Sequence, residues 1–83
     1  MEKRRTQHDA DIRHKSALIR IFDRSEKVAS GAWKTVAWEV EWKFDGDNAS
    51  HSAFYAPDEL TSALSVTKAI IDRDIAKGLS TLG

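Results

Sequence analysis

A chain of 83 residues holds one domain, and the absence of cysteine excludes disulfides, thiolate metal sites and a cysteine nucleophile together. Thirteen Lys and Arg balance thirteen Asp and Glu, so no overall field draws the chain to nucleic acid or to an anionic membrane. No stretch approaches the roughly 18 apolar residues of a membrane span, and the charged start from Met1 to His8 is not followed by an apolar run, so a cytoplasmic protein is expected.

Residues 1–16 contain only Ala10 and Ile12 as internal apolar positions, too few for a stripe that could hold a helix on a core. This segment is expected to be a mobile or weakly helical, basic N-terminal arm, with a single domain over residues 17–83. Charge is uneven between the two parts of the chain. Residues 1–27 carry eight basic and five acidic side chains, and the remainder balances at −3.

From Ala17 the run Ala-Leu-Ile-Arg-Ile-Phe predicts a first strand, stopped by the polar Asp23-Arg24-Ser25-Glu26. After Ser30-Gly31, residues Trp33 to Phe44 alternate with a period of two: Val36, Trp38, Val40, Trp42 and Phe44 take one face, and Ala37, Glu39, Glu41 and Lys43 the other. Asp45-Gly46-Asp47-Asn48 then predicts a tight hairpin turn into a third strand, Ala49 to Ala56. An even loop sets Trp42 opposite His51, Val40 opposite Ala53 and Trp38 opposite Tyr55, which makes one face apolar on both strands.

Pro57 ends the sheet and suits a helix start. Leu60, Ala63, Leu64, Thr67, Ile71, Ile75 and Leu79 recur at spacings of three and four, with Gly78 as a natural stop. The expected fold class is therefore α+β, a three-stranded antiparallel meander with a long C-terminal helix on one face. A helix running to about Lys77 is longer than such a sheet is wide, so its C-terminal end is expected to overhang.

Three strands then a helix resembles, in topology alone, the small DNA-binding domains of plant ethylene-response factors and some phage integrase arms. Those domains lay an open sheet on DNA with arginines and tryptophans. Here the open face carries Glu39 and Glu41, which repel phosphate, and no family is assigned.

No motif for catalysis emerges. Trp38 and Trp42 share the apolar face and read as core, His51 has no carboxylate predicted beside it, and His8 and His14 fit no metal-ligand spacing. The chain lacks a nucleophile elbow and a phosphate loop, so no enzyme, cofactor, metal or small-molecule substrate is expected. The predicted first strand is apolar on both sides and lies at a sheet edge. Its residues Leu18, Ile19, Ile21 and Phe22, with Phe54 on the open face, form the expected protein interface of a non-catalytic adaptor or inhibitor, most simply a homodimer. The alternative is a nucleic-acid-binding accessory protein using Lys3, Arg4, Arg5, Arg13 and Lys15 on phosphates, with Trp33 as a stacking residue.

Overall fold

The computed structural model, which describes residues 3–78, has four antiparallel strands followed by one helix. The strands are β1 (Arg4–His14), β2 (Ala17–Lys27), β3 (Trp33–Phe44) and β4 (His51–Tyr55), and the helix is α1 (Leu60–Ala76). The sheet order is β1-β2-β3-β4, a simple meander. An antiparallel α+β fold with a C-terminal helix is thus present, with one strand more than the sequence reading expected.

That extra strand is the segment expected to be a mobile arm. It pairs with β2 from Arg4↔Glu26 to His14↔Ala17, around a turn at Lys15 and Ser16. The predicted first strand is consequently β2, an interior strand bonded on both sides, and it continues to Lys27 instead of stopping at Asp23. Asp23 does not break it because its carboxylate accepts the Ser25 and Thr35 hydroxyls at 2.7 and 2.9 Å. A polar cluster that reads as a loop is here an internally satisfied piece of sheet.

β3 has the expected bounds, and its pairing with β4 carries the expected register, Trp42↔His51, Val40↔Ala53 and Trp38↔Tyr55. Gly46 takes φ +85° in the turn, a conformation that favours glycine. Alternation then places Ile12, Ile19, Trp42 and His51 in one cross-strand row, and Ala10, Ile21, Val40 and Ala53 in the next. These rows form the inner face. Ala17, Ile19, Ile21, Val40, Trp42 and Phe44 are buried there beneath Ala63 and Ile71 of α1, with Trp38, Leu60, Leu64 and Ile75 partly buried around them. Ile19 and Ile21, assigned above to an interface, are core residues. Leu79, the last residue of the predicted stripe, lies outside the described residues.

The helix begins later than Pro57, with Glu59 as its N-cap and Pro57 in the preceding turn. Its start is tied to the sheet by the Trp38 indole N–H, which donates to the Pro57 carbonyl at 3.0 Å. Near its other end Asp72 reaches His14 and Lys15 at the β1–β2 turn. Gly78, at φ +73°, closes the helix by donating to the Ile75 carbonyl.

These ties fix what the helix covers. Seventeen helical residues span roughly 25 Å, whereas an eleven-residue strand spans roughly 37 Å. Along its strands the sheet extends beyond the helix. The molecule measures 49 × 24 × 15 Å, and its free end is a three-stranded ribbon of Lys3–Gln7, Asp23–Lys27 and Trp33–Ala37.

Candidate functional site

The ribbon differs in charge from the rest of the protein. Its three segments carry six basic side chains, Lys3, Arg4, Arg5, Arg24, Lys27 and Lys34, against Asp23 and Glu26. The other described residues hold seven basic and ten acidic side chains, so a chain of zero net charge is polarised along its length.

Two β-bulges shape this end. One lies at Asp9, between the pairs His8↔Phe22 and Ala10↔Ile21. The other inserts Val36 between Arg24↔Ala37 and Ser25↔Thr35. Each bulge adds an unpaired residue and increases local twist. The second also breaks the expected alternation of β3. Val36 leaves the apolar inner set and is 40% exposed.

A concavity of about 850 Å³ opens on the ribbon, lined by Arg4, Arg5 and Arg24 with the rings of Trp33 and Phe54. Val36 and Ala37 form its apolar floor, and Thr6, Ser25 and Glu26 add polar atoms. Added twist accounts for residues of both alternation parities meeting in one hollow. The Arg5 guanidinium lies over the Trp33 ring at 4.6 Å from its centre, and that of Arg24 over the Phe54 ring at 5.3 Å. Lys27 lies 5.9 Å from the Trp33 ring centre. Arg24 also donates to Glu39 at 2.9 Å, and Arg4 makes a loose, exposed pair with Glu26 at 3.7 Å. Among the described residues no carboxylate pairs with Arg5.

The structure divides the proposed phosphate-binding set. Arg4, Arg5 and Trp33 line the concavity, and Lys3 adjoins it, its carbonyl accepting from the Lys27 N–H at 2.8 Å. Arg13 and Lys15 do not join them. They sit at the opposite end of β1, where Arg13 Nη1 donates to both carboxylate oxygens of Asp45 at 2.7 and 2.9 Å and Lys15 pairs with Asp72 at 2.7 Å. Lys15 and His14 hydrogen-bond the Asp72 carboxylate and hold its pKa below the ordinary 3.8. His14, expected in solvent, is therefore part of the junction between sheet and helix. Arg24 and Phe54 enter the site only through folding: Arg24 belongs to the polar stretch expected to stop the first strand, and Phe54 to the expected protein interface.

The outer face of the sheet answers the interface reading. Leu18 and Phe22 point there and are partly covered, and Phe54 is 58% exposed. These residues do not form a continuous patch. The cross-strand row Asp11, Arg20, Glu41, Ser52 separates Leu18 from the row that holds Phe22 and Phe54. Arg20 pairs with both Asp11 and Glu41, at 3.6 and 3.8 Å. Glu39 and Glu41, expected to repel phosphate, each have an arginine partner.

Among the described residues no cluster of three His, Asp or Glu side chains is placed to hold a metal ion, and no helix is long and apolar enough to cross a membrane. His51 stacks on Trp42 with ring centres 5.5 Å apart. Comparison with protein-family models, curated proteins and solved structures finds no significant match to this chain.

Proposed function

We propose that the chain is a nucleic-acid-binding accessory protein that takes the phosphate backbone on Arg4, Arg5 and Arg24 at the free end of the sheet. One observation carries the reading: three arginines and two aromatic rings line a single concavity at the basic pole of an otherwise acidic protein. Phosphate contacts of this kind come chiefly from Arg and Lys, and clustering them on one surface is the electrostatic footprint of such proteins. The protein-interaction reading is supported less. It required residues 17–22 to form an exposed edge, and β2 is interior.

Fluorescence anisotropy of a labelled oligonucleotide tests the proposal across a series of salt concentrations. Binding is expected at low salt, with log affinity falling against log salt at a slope of about −2 to −3 for three neutralised phosphates. Arg5→Ala and Arg24→Ala should weaken binding, whereas Arg13→Ala, at the far end, should leave it unchanged. Absence of binding at low salt, or equal loss from Arg13→Ala and Arg5→Ala, would overturn the assignment.

A further inference from the structure

The geometry points to a single strand as the occupant of this concavity, with unpaired bases stacking at Trp33 and Phe54, an inference that rests on the nucleic-acid reading above. Phosphate binding alone uses cations and needs no aromatic ring. Here each ring carries a guanidinium, Arg5 over Trp33 at 4.6 Å and Arg24 over Phe54 at 5.3 Å. A guanidinium beside an aromatic ring pairs a cation with a π-face, the two kinds of group that a stacked nucleobase uses.

Bases in a duplex are stacked on one another and offer a protein only their edges. The apolar lining of Val36, Ala37 and Phe54 has no counterpart on a base edge or a phosphate, but it matches the face of an unstacked base. Phe54 leaves 58% of its surface in water, a cost that a covering base would remove. The volume, about 850 Å³, lies within the roughly 300–1,000 Å³ of small-molecule sites and suits a few flat rings.

Beyond the concavity, the described outer face mixes its signs: Arg13, Arg20 and Lys43 lie there among Asp11, Glu39, Glu41 and Asp45. Asp11, Glu39 and Glu41 alternate there with Arg20 and Arg24 and pair with them. A duplex laid along the sheet would meet a neutral lattice. A single strand needs only the end of the ribbon.

Three probes decide the matter on the full chain: a single-stranded DNA oligonucleotide, its duplex, and inorganic polyphosphate, each titrated at several salt concentrations. The single strand should bind most tightly. Trp33→Ala should weaken it by about tenfold, the order of one lost stack, without changing the salt slope, because no charge is removed. Trp33→Phe should restore most of that loss, which separates stacking from a fold defect. Arg5→Ala should instead reduce the slope by about 0.7, the value for one phosphate on a single strand. Duplex or polyphosphate binding as tightly as the single strand, with Trp33→Ala silent, would overturn base stacking while leaving a basic anion-binding site in place. If no oligonucleotide binds at low salt, both readings fall.

Discussion

The Asp72 carboxylate joins the helix to the β1–β2 hairpin: its Oδ1 lies 2.7 Å from Lys15 Nζ and 2.8 Å from His14 Nε2. The Lys15 hydrogen bond, and then that of His14, lowers the Asp72 pKa from 3.8. A carboxylate depressed in the folded state contributes stability above its unfolded value and loses it as the pH falls through the folded one. Asp72→Asn lacks that contribution at every pH. Thermal unfolding should show a Tm gap between wild type and Asp72→Asn at about pH 5 that narrows below pH 3.8. A gap that widens on acidification would mean that Asp72 is not the group being lost.

Lys15 occupies the left-handed region at φ +53°, which costs a residue with a Cβ about 1 kcal/mol relative to glycine. Its exposed pair with Asp72 offsets that strain only while salt is low. Lys15→Gly should therefore gain more, relative to wild type, at high salt than at low salt. Melting curves at two ionic strengths measure the difference, and an equal effect at both would show that the pair does not offset the strain.

Deleting residues 1–12, most of the segment expected to be a mobile or weakly helical arm, removes most of β1 and strips one side of β2 of its ladder. Ile12 and Ala10, the row partners of Ile19 and Ile21, go with it. The shortened chain should lose its cooperative thermal transition, as followed by near-ultraviolet circular dichroism. Retention of that transition would mean that β2 and β3 with α1 suffice as a core.

Trp42 is 8% exposed, and its indole N–H has no partner among the described residues. Trp42→Ala should cost about 3–5 kcal/mol through the cavity it leaves. Trp42→Phe keeps most of the apolar volume and removes the unpaired donor, so its cost should be far smaller, under about 1.5 kcal/mol. Chemical denaturation of both variants tests the pairing, and equal losses would show that the indole N–H makes a bond that matters.

Much of the helix-covered half can be read from the chain. Alternation defines β3, parity sets Trp42 against His51, and Gly46 and Gly78 mark the ends they occupy. β1 escapes because its turn uses Lys15 and Ser16 in place of the Asn-Gly or Asp-Gly that announces a tight hairpin. The signal is present in another form: Ala10, Ile12 and His14 mirror Ile21, Ile19 and Ala17 about that turn. The site is legible only in part for the same reason. Arg13 lies near Arg4 and Arg5 in the chain, but nine residues of extended strand separate Arg4 from Arg13 by roughly 30 Å. Arg24 and Phe54 come together at the concavity through the pairing of β2 and β4 with β3 and through the Val36 bulge, which the alternation of β3 does not reveal.

Polarisation along a 49 Å axis gives this electroneutral protein a large electric dipole. The Debye length at physiological salt is about 8 Å, so an approaching polyanion responds to the nearer pole and not to the sum of charges. For the nucleic-acid partner proposed above, an encounter that begins at the acidic body would be repelled, and rotation toward the ribbon would turn repulsion into attraction. Orientation would then be selected within about a Debye length of contact, by a torque that net charge alone does not disclose.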